Sequence, residues 1–259
     1  MKNKLTKLIF AFALLAVISA NAGERLFTLS NEARYNKPGE WEVEQWITWE
    51  TNKRESDQSY DNWDFRTELE YSVNENLALA VYFDSRYRDS GSDNSGEIDF
   101  KDVAFEMVWT FSDAVQDPIG SALYAEVKYG DEDQFLEVEL KLLLTKQIGR
   151  WVFNYNFVFE HEWEHQGYED ESAKYKNVFG VSYEVNRNFR AGLELQHKQG
   201  YSGALFDYDE GHGNHIVNIG PVFHYATETW WATLTPTYQI SEVEGESEFL
   251  TRLIVGFSF

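Results

Sequence analysis

The chain has no cysteine among its 259 residues, so neither a disulfide framework nor thiol chemistry enters its fold or function. Positive charge is scarce: 22 Lys and Arg stand against 44 Asp and Glu, a formal net charge of −22. A polyanion of that strength repels nucleic acid and gains nothing from phosphate contacts. Apolar runs are also missing beyond the first 22 residues, where nothing reaches the ~20 residues a spanning helix needs. Mean hydropathy is low, at −0.49. Convincing helical periodicity is absent as well. What the chain does have is 17% aromatic and 25% charged residues together, the mixture expected of strands that meet lipid on one face and water on the other.

The opening residues carry Lys2, Lys4 and Lys7, an apolar run from Leu8 to Ile18, and small residues at Ala20 and Ala22. This charged, apolar, A-x-A order reads as a secretory signal peptide over residues 1–22. Loss of those three lysines on cleavage takes the formal charge from −22 to −25. Residues 23–38 are polar and weakly patterned, and read as a periplasmic N-terminal lead-in. From residue 39 to 259 the pattern has period two. Trp41, Val43, Ile47 and Trp49 oppose Glu42, Glu44, Thr48 and Glu50, and Trp63, Phe65, Thr67, Leu69 and Tyr71 oppose Asp64, Arg66, Glu68 and Glu70. Ten further segments alternate in the same way, which argues for half-buried strands.

Connections after even-numbered strands are tight (Val73–Asn76, Asn186–Asn188), whereas odd ones such as 51–60, 89–96 and 200–211 are longer or acidic. The connection at 112–118 fits this parity least well. Aromatic spacing points the same way. Trp41 and Trp49, Trp63 and Tyr71, Tyr175 and Tyr183, and Trp230 and Tyr238 each lie eight residues apart on the apolar face. Eight residues span ~26 Å along a strand, close to the separation of two aromatic girdles around a ~25 Å apolar band. Pro221 and Pro236 fall inside two of the segments, where a missing N–H interrupts a ladder.

The final stretch, Ser247–Phe259, alternates Phe249, Thr251, Leu253, Val255, Phe257 and Phe259 with Glu248, Leu250, Arg252, Ile254, Gly256 and Ser258. It resembles the C-terminal strand of bacterial outer-membrane β-barrels, which commonly ends in Phe. The chain as a whole resembles a small, uncharacterised porin-like family of such barrels. The expectation is an all-β protein: a transmembrane antiparallel up-and-down β-barrel of about twelve strands in the bacterial outer membrane, with both termini in the periplasm. The resemblance implies contact with outer-membrane lipid and lipopolysaccharide, and recognition by the barrel-assembly machinery through the strand that ends at Phe259.

Few motifs carry chemistry. His161–His165 (HEWEH) satisfies the H-E-x-x-H zinc pattern, but that mechanism requires a helix, and on a strand the two histidines would lie ~13 Å apart. The blander reading is an upper-rim segment with an interfacial Trp163. Asp207, Asp209, Glu210 and His212 in a long outer loop offer oxygen ligands for a divalent cation, although such runs are more often solvated loops. Outer-membrane phospholipases carry a His-x-Ser-Asn-Gly-type sequence that has no counterpart here. Neither an enzyme site nor a cofactor is expected.

The inward face is more informative. Glu42, Glu44, Arg66, Glu68, Glu70, Asp84, Arg86, Glu106, Glu126, Lys128, Glu137, Glu139, Lys141 and Glu160 are candidate pore-lining residues. An excess of acids there suits passive passage of small cationic or neutral solutes, because acidic rings concentrate cations. The alternative is a non-conducting structural or surface-binding barrel, cross-braced by acid–base pairs and partly filled by Tyr82, Tyr124, Phe135 and Trp231.

Overall fold

The computed structural model describes residues 24–53, 60–89, 98–130, 135–164, 170–202 and 212–259. Wherever the sequence alternates, the backbone is extended. The strands are β1 (Trp41–Lys53), β2 (Asp61–Asn74), β3 (Leu77–Asp89), β4 (Ile98–Ser112), β5 (Gly120–Gly130) and β6 (Phe135–Ile148), then β7 (Trp151–Glu164), β8 (Asp170–Asn186), β9 (Phe189–Ser202), β10 (His212–Ala226), β11 (Trp230–Gln239) and β12 (Ser247–Ser258). Each strand pairs antiparallel with its chain neighbours, and β12 returns to β1 to close the barrel. Trp41 N–H donates to Phe259 O, and Phe259 N–H to Trp41 O, both at 2.9 Å. No sheet edge is left for another chain to join.

Local sequence explains the tight turns. Asn74 Oδ1 accepts the N–H groups of Asn76 (2.9 Å) and Leu77 (3.0 Å) between β2 and β3. Asn186 Oδ1 repeats this for Asn188 and Phe189 between β8 and β9, the side-chain mimic of a turn that Asn favours. Gly149 supplies a φ of 58° between β6 and β7, which a glycine adopts at no steric cost. These turns share the end that carries residue 259, here called the termini end; the other is the loop end. The connection at 113–119 is the long one at the termini end. It folds back so that Gln147 N–H donates to Ala114 O at 3.2 Å.

The outer wall is apolar and exposed: Phe105 is 69% and Phe83 52% accessible. Its aromatics meet at two levels. Trp41 and Tyr71 pack at 4.6 Å near the termini end, and Trp49 and Trp63 at 5.5 Å near the loop end. Both prolines remain within strands. The β10–β11 pairing lapses between Ile219↔Tyr238 and Phe223↔Leu234. Pro221 and Pro236 therefore face one another across an interrupted ladder, where neither can donate.

Among the described residues there is no single apolar core. Small islands such as Phe27, Val152 and Val222 lie among buried polar groups. Phe27 belongs to the segment read as a periplasmic lead-in. The structure places residues 24–36 of it inside the barrel, where wall side chains satisfy its backbone.

Candidate functional site in the barrel lumen

Residues 24–36 have no regular secondary structure, so their N–H and C=O groups need partners from elsewhere. The inward faces of the strands provide them. On β9, the Glu194 carboxylate accepts the N–H groups of Thr28 and Leu29, both at 3.0 Å, and the hydroxyls of Thr28 and Ser30. Thr235 of β11 donates to the same carboxylate at 2.7 Å. On β7, Asn156 Oδ1 accepts Asn31 N–H at 2.7 Å, while the Asn154 and Asn156 amides donate to Asn31 O. Ala33 N–H donates to Thr145 Oγ1 at 2.7 Å, and Thr110 Oγ1 donates to Arg34 O at 3.0 Å. Threaded this way, the segment is a plug across the termini half of the lumen.

Its one large apolar anchor is Phe27, which is fully buried against Val152 and Val222. Gly180 of β8 makes the room, since a Cβ there would lie 2.6 Å from the Phe27 ring. Arg25 is the anchor for charge. Its Nε meets Glu44 Oε1 at 2.9 Å and its Nη2 meets Glu68 Oε1 at 3.2 Å. Around this guanidinium stand Glu42, Glu44, Glu68, Glu70 and Glu106, with carboxylate oxygens of Glu68, Glu70 and Glu106 within 4.8 Å of one another. Such oxygens suit a hard cation, but Glu68 already serves Arg25.

The loop half is organised differently, its inward charges mostly neutralising each other. Arg66 pairs with Asp84 (2.7 Å) and Glu126 (3.5 Å), and Arg86 with Asp64 (2.6 Å). Lys128 pairs with Glu137 at 2.7 Å and Lys141 with Glu139 at 2.8 Å. Lys176 bridges Glu139 and Glu160, and Lys174 bridges Glu160 and Glu162. These ladders surround a cavity of about 340 Å³ whose lining includes Leu29 of the plug. At the boundary between the halves stands Trp46. Arg25, Arg66 and Arg252 lie 4.9, 5.5 and 5.4 Å from its ring centroid.

All fourteen candidate lumen residues face inward, but in two groups. Glu42, Glu44, Glu68, Glu70 and Glu106 surround the plug. Arg66, Asp84, Arg86, Glu126, Lys128, Glu137, Glu139, Lys141 and Glu160 belong to the paired ladders, so the lumen is not uniformly acidic. Tyr82, Tyr124 and Trp231 are buried inside, as their bulk suggests. His161–Glu164 continues β7 as a strand, without the helix that a zinc site on this motif requires. His165, Asp207, Asp209, Glu210 and the His212 side chain lie outside the described residues.

The sequence reading missed Arg25, Phe27, Trp46 and Gly180, and did not count Glu194 or Arg252 among the candidate site residues. The available signals were a glycine on an inward strand position and Phe27 and Leu29 within a polar lead-in.

A family profile matches residues 19–251, and its description is "Family of unknown function (DUF6662)". No curated protein matches the chain. Among solved structures, the COG4313 outer membrane channel from Pseudomonas putida F1 superposes with a TM-score of 0.62 at 12% identity, covering 89% of this chain and 99% of that one. The NanC porin gives 0.52 at 10% identity, covering 84% and 98%. The KdgM porin, in complex with disordered oligogalacturonate, gives 0.51 at 7% identity, covering 84% and 99%. The barrel architecture is thus shared with outer-membrane channels.

Proposed function

This protein belongs to that family of unknown function, and we propose that it is an outer-membrane channel held closed by its own N-terminal segment. The observation that carries this reading is the course of residues 24–36 through the termini half of the lumen. With the termini in the periplasm, the loop half opens outward and the plug faces inward. Signal-peptide cleavage after Ala22 would leave Gly23 as a free end beside Glu24, so the segment can leave or enter without breaking a strand.

Withdrawal of the plug also removes Arg25. Glu42, Glu44, Glu68, Glu70 and Glu106 then face water without their principal counter-charge, and an acidic ring favours cations. The open channel therefore passes small cationic or neutral solutes, whereas the closed one passes little. The competing reading, a non-conducting barrel whose outer loops bind divalent cations, draws on the dense hydrogen bonding of the plug.

Conductance in a planar bilayer under a salt gradient separates these readings. The refolded chain from Gly23 should open rarely and in small steps. A chain beginning at Lys37 should show large, steady steps with a cation-selective reversal potential. If the shortened chain folds, as checked by circular dichroism, yet stays silent, the channel reading fails. Anion selectivity would refute the role given to the acidic cluster.

A further inference from the structure

Three guanidiniums gather around Trp46, and their bookkeeping of charge differs. Arg25 has Glu44 and Glu68, and Arg66 has Asp84 and Glu126. Arg252 has neutral partners: its Nε donates to Thr48 Oγ1 at 2.9 Å and its Nη1 to Thr28 O at 3.2 Å. Among the described residues no carboxylate comes within 4.0 Å of it. A guanidinium carries five N–H donors in a planar fork suited to a carboxylate. Two of the five are used, and Arg252 lines the loop-half cavity.

The same cavity holds an opposite case. Glu50 is two residues beyond Thr48 on the inward face of β1 and lines the cavity as well. Among the described residues no cation lies within 4.0 Å of its carboxylate. Thr48 pairs with Arg252 and Glu50 with Leu250 across β1 and β12. Glu50 and Arg252 are therefore diagonal neighbours, with Cα atoms roughly 7–8 Å apart. They share a wall and a cavity without bonding to each other. The remaining charges at this depth are already matched, Lys128 with Glu137 and Lys141 with Glu139 for example.

We propose that Arg252 and Glu50 form a binding site for a small zwitterion, Arg252 taking its carboxylate and Glu50 its ammonium group. A molecule with a few methylenes between its charged ends spans the diagonal. A simple anion would satisfy Arg252 but meet the surrounding carboxylates, and a simple cation would leave Arg252 unanswered. The site deepens the channel reading by naming a net-neutral solute class. It rests on that reading for the solute's route, not for its binding.

Isothermal titration calorimetry on the refolded chain from Gly23 in detergent micelles tests the site without requiring conduction. The probes are γ-aminobutyrate, butyrate and butylamine, which carry both charges or one of them. Saturable binding of γ-aminobutyrate is expected, at least tenfold tighter than butyrate, with no binding of butylamine. Arg252→Gln should weaken γ-aminobutyrate at least tenfold. Because Arg252 also holds the plug, Glu50→Gln provides the second variant, and it should bring γ-aminobutyrate down to the affinity of butyrate. Absence of saturable γ-aminobutyrate binding, or unchanged affinity in either variant, overturns the proposal. Silence of the folded chain beginning at Lys37 in the bilayer, with binding to the chain from Gly23 intact, would refute the channel and leave the site standing.

Discussion

The two halves of the lumen use the inward faces of the same strands for opposite purposes. In the termini half, wall side chains such as Glu194, Asn154, Asn156 and Thr145 satisfy the backbone of another segment. In the loop half they satisfy one another, as in the Lys176 bridge to Glu139 and Glu160. The difference is one of replaceability. A neutral hydrogen bond to the plug nets only about 0.5–1.5 kcal/mol, because water takes its place when the segment leaves. A buried ion pair broken on one side leaves an uncompensated charge, at a cost of roughly 3–5 kcal/mol. The plug's neutral contacts are of the first kind, whereas the Arg25 pairs with Glu44 and Glu68 and the loop-half ladders are of the second.

The sharpest way to break this asymmetry is to deny the plug its seat. Gly180→Val places a Cβ 2.6 Å from the Phe27 ring, and Val152 and Val222 close the other sides. Overpacking of this kind costs about 1–3 kcal/mol, which falls on the plug because the wall is fixed by its ladders. Open probability in the bilayer should rise at least tenfold, while Gly200→Ala, with nothing within 4 Å, should leave it unchanged. Adding Phe27→Ala to Gly180→Val should produce no further opening, because both remove the same contact. Closed behaviour in Gly180→Val would mean that Phe27 does not hold the segment.

A smaller effect is expected at Glu194. Its carboxylate receives two adjacent backbone N–H groups and three hydroxyls. Glu194→Gln keeps the shape but turns one acceptor into a donor that faces other donors. Hydrogen bonds to a charged group are worth about 1.5–3 kcal/mol, so the plug should loosen around Thr28 and Leu29 without leaving fully. Amide hydrogen exchange at those two residues should accelerate several-fold, with exchange in β1 and β12 unaffected. Equal protection in the variant would place the plug's stability elsewhere.

How far the sequence could be read follows from the same contrast. The wall was legible, because strands exposed to lipid on one face must alternate. Trp41, Trp49, Trp63 and Tyr71 marked both aromatic levels, and β10 and β11 could be traced despite Pro221 and Pro236. Most ladder carboxylates were legible as inward charges, but Lys174 and Lys176 were not, and the pairing was hidden because Lys176 reaches Glu139 on a strand that is not adjacent to its own. The plug was invisible, because a segment stitched by polar side chains needs no period of its own. Arg25 and Phe27 acquire their roles only from Glu44, Glu68 and Gly180, which barrel closure brings close to them.

The smallest predicted effect tests whether the loop half shapes selectivity rather than stability. Lys176 is 20% accessible and spans Glu139 and Glu160, which face each other across β6 and β7. Glu139 keeps Lys141 and Glu160 keeps Lys174, so neither carboxylate is left uncompensated and Lys176→Met should lower barrel stability by less than the roughly 3–5 kcal/mol of a broken buried pair. Charge selectivity should respond more clearly. Two carboxylates lose their shared cation in the half that stays open whether or not the plug is in place. In a chain beginning at Lys37, the reversal potential of Lys176→Met should therefore move further towards cations than that of the same chain with Lys176. A reversal potential that stays put, with conductance intact, would mean that permeating ions are selected at the acidic cluster around Glu68 alone, and that the ladders serve only to brace the wall.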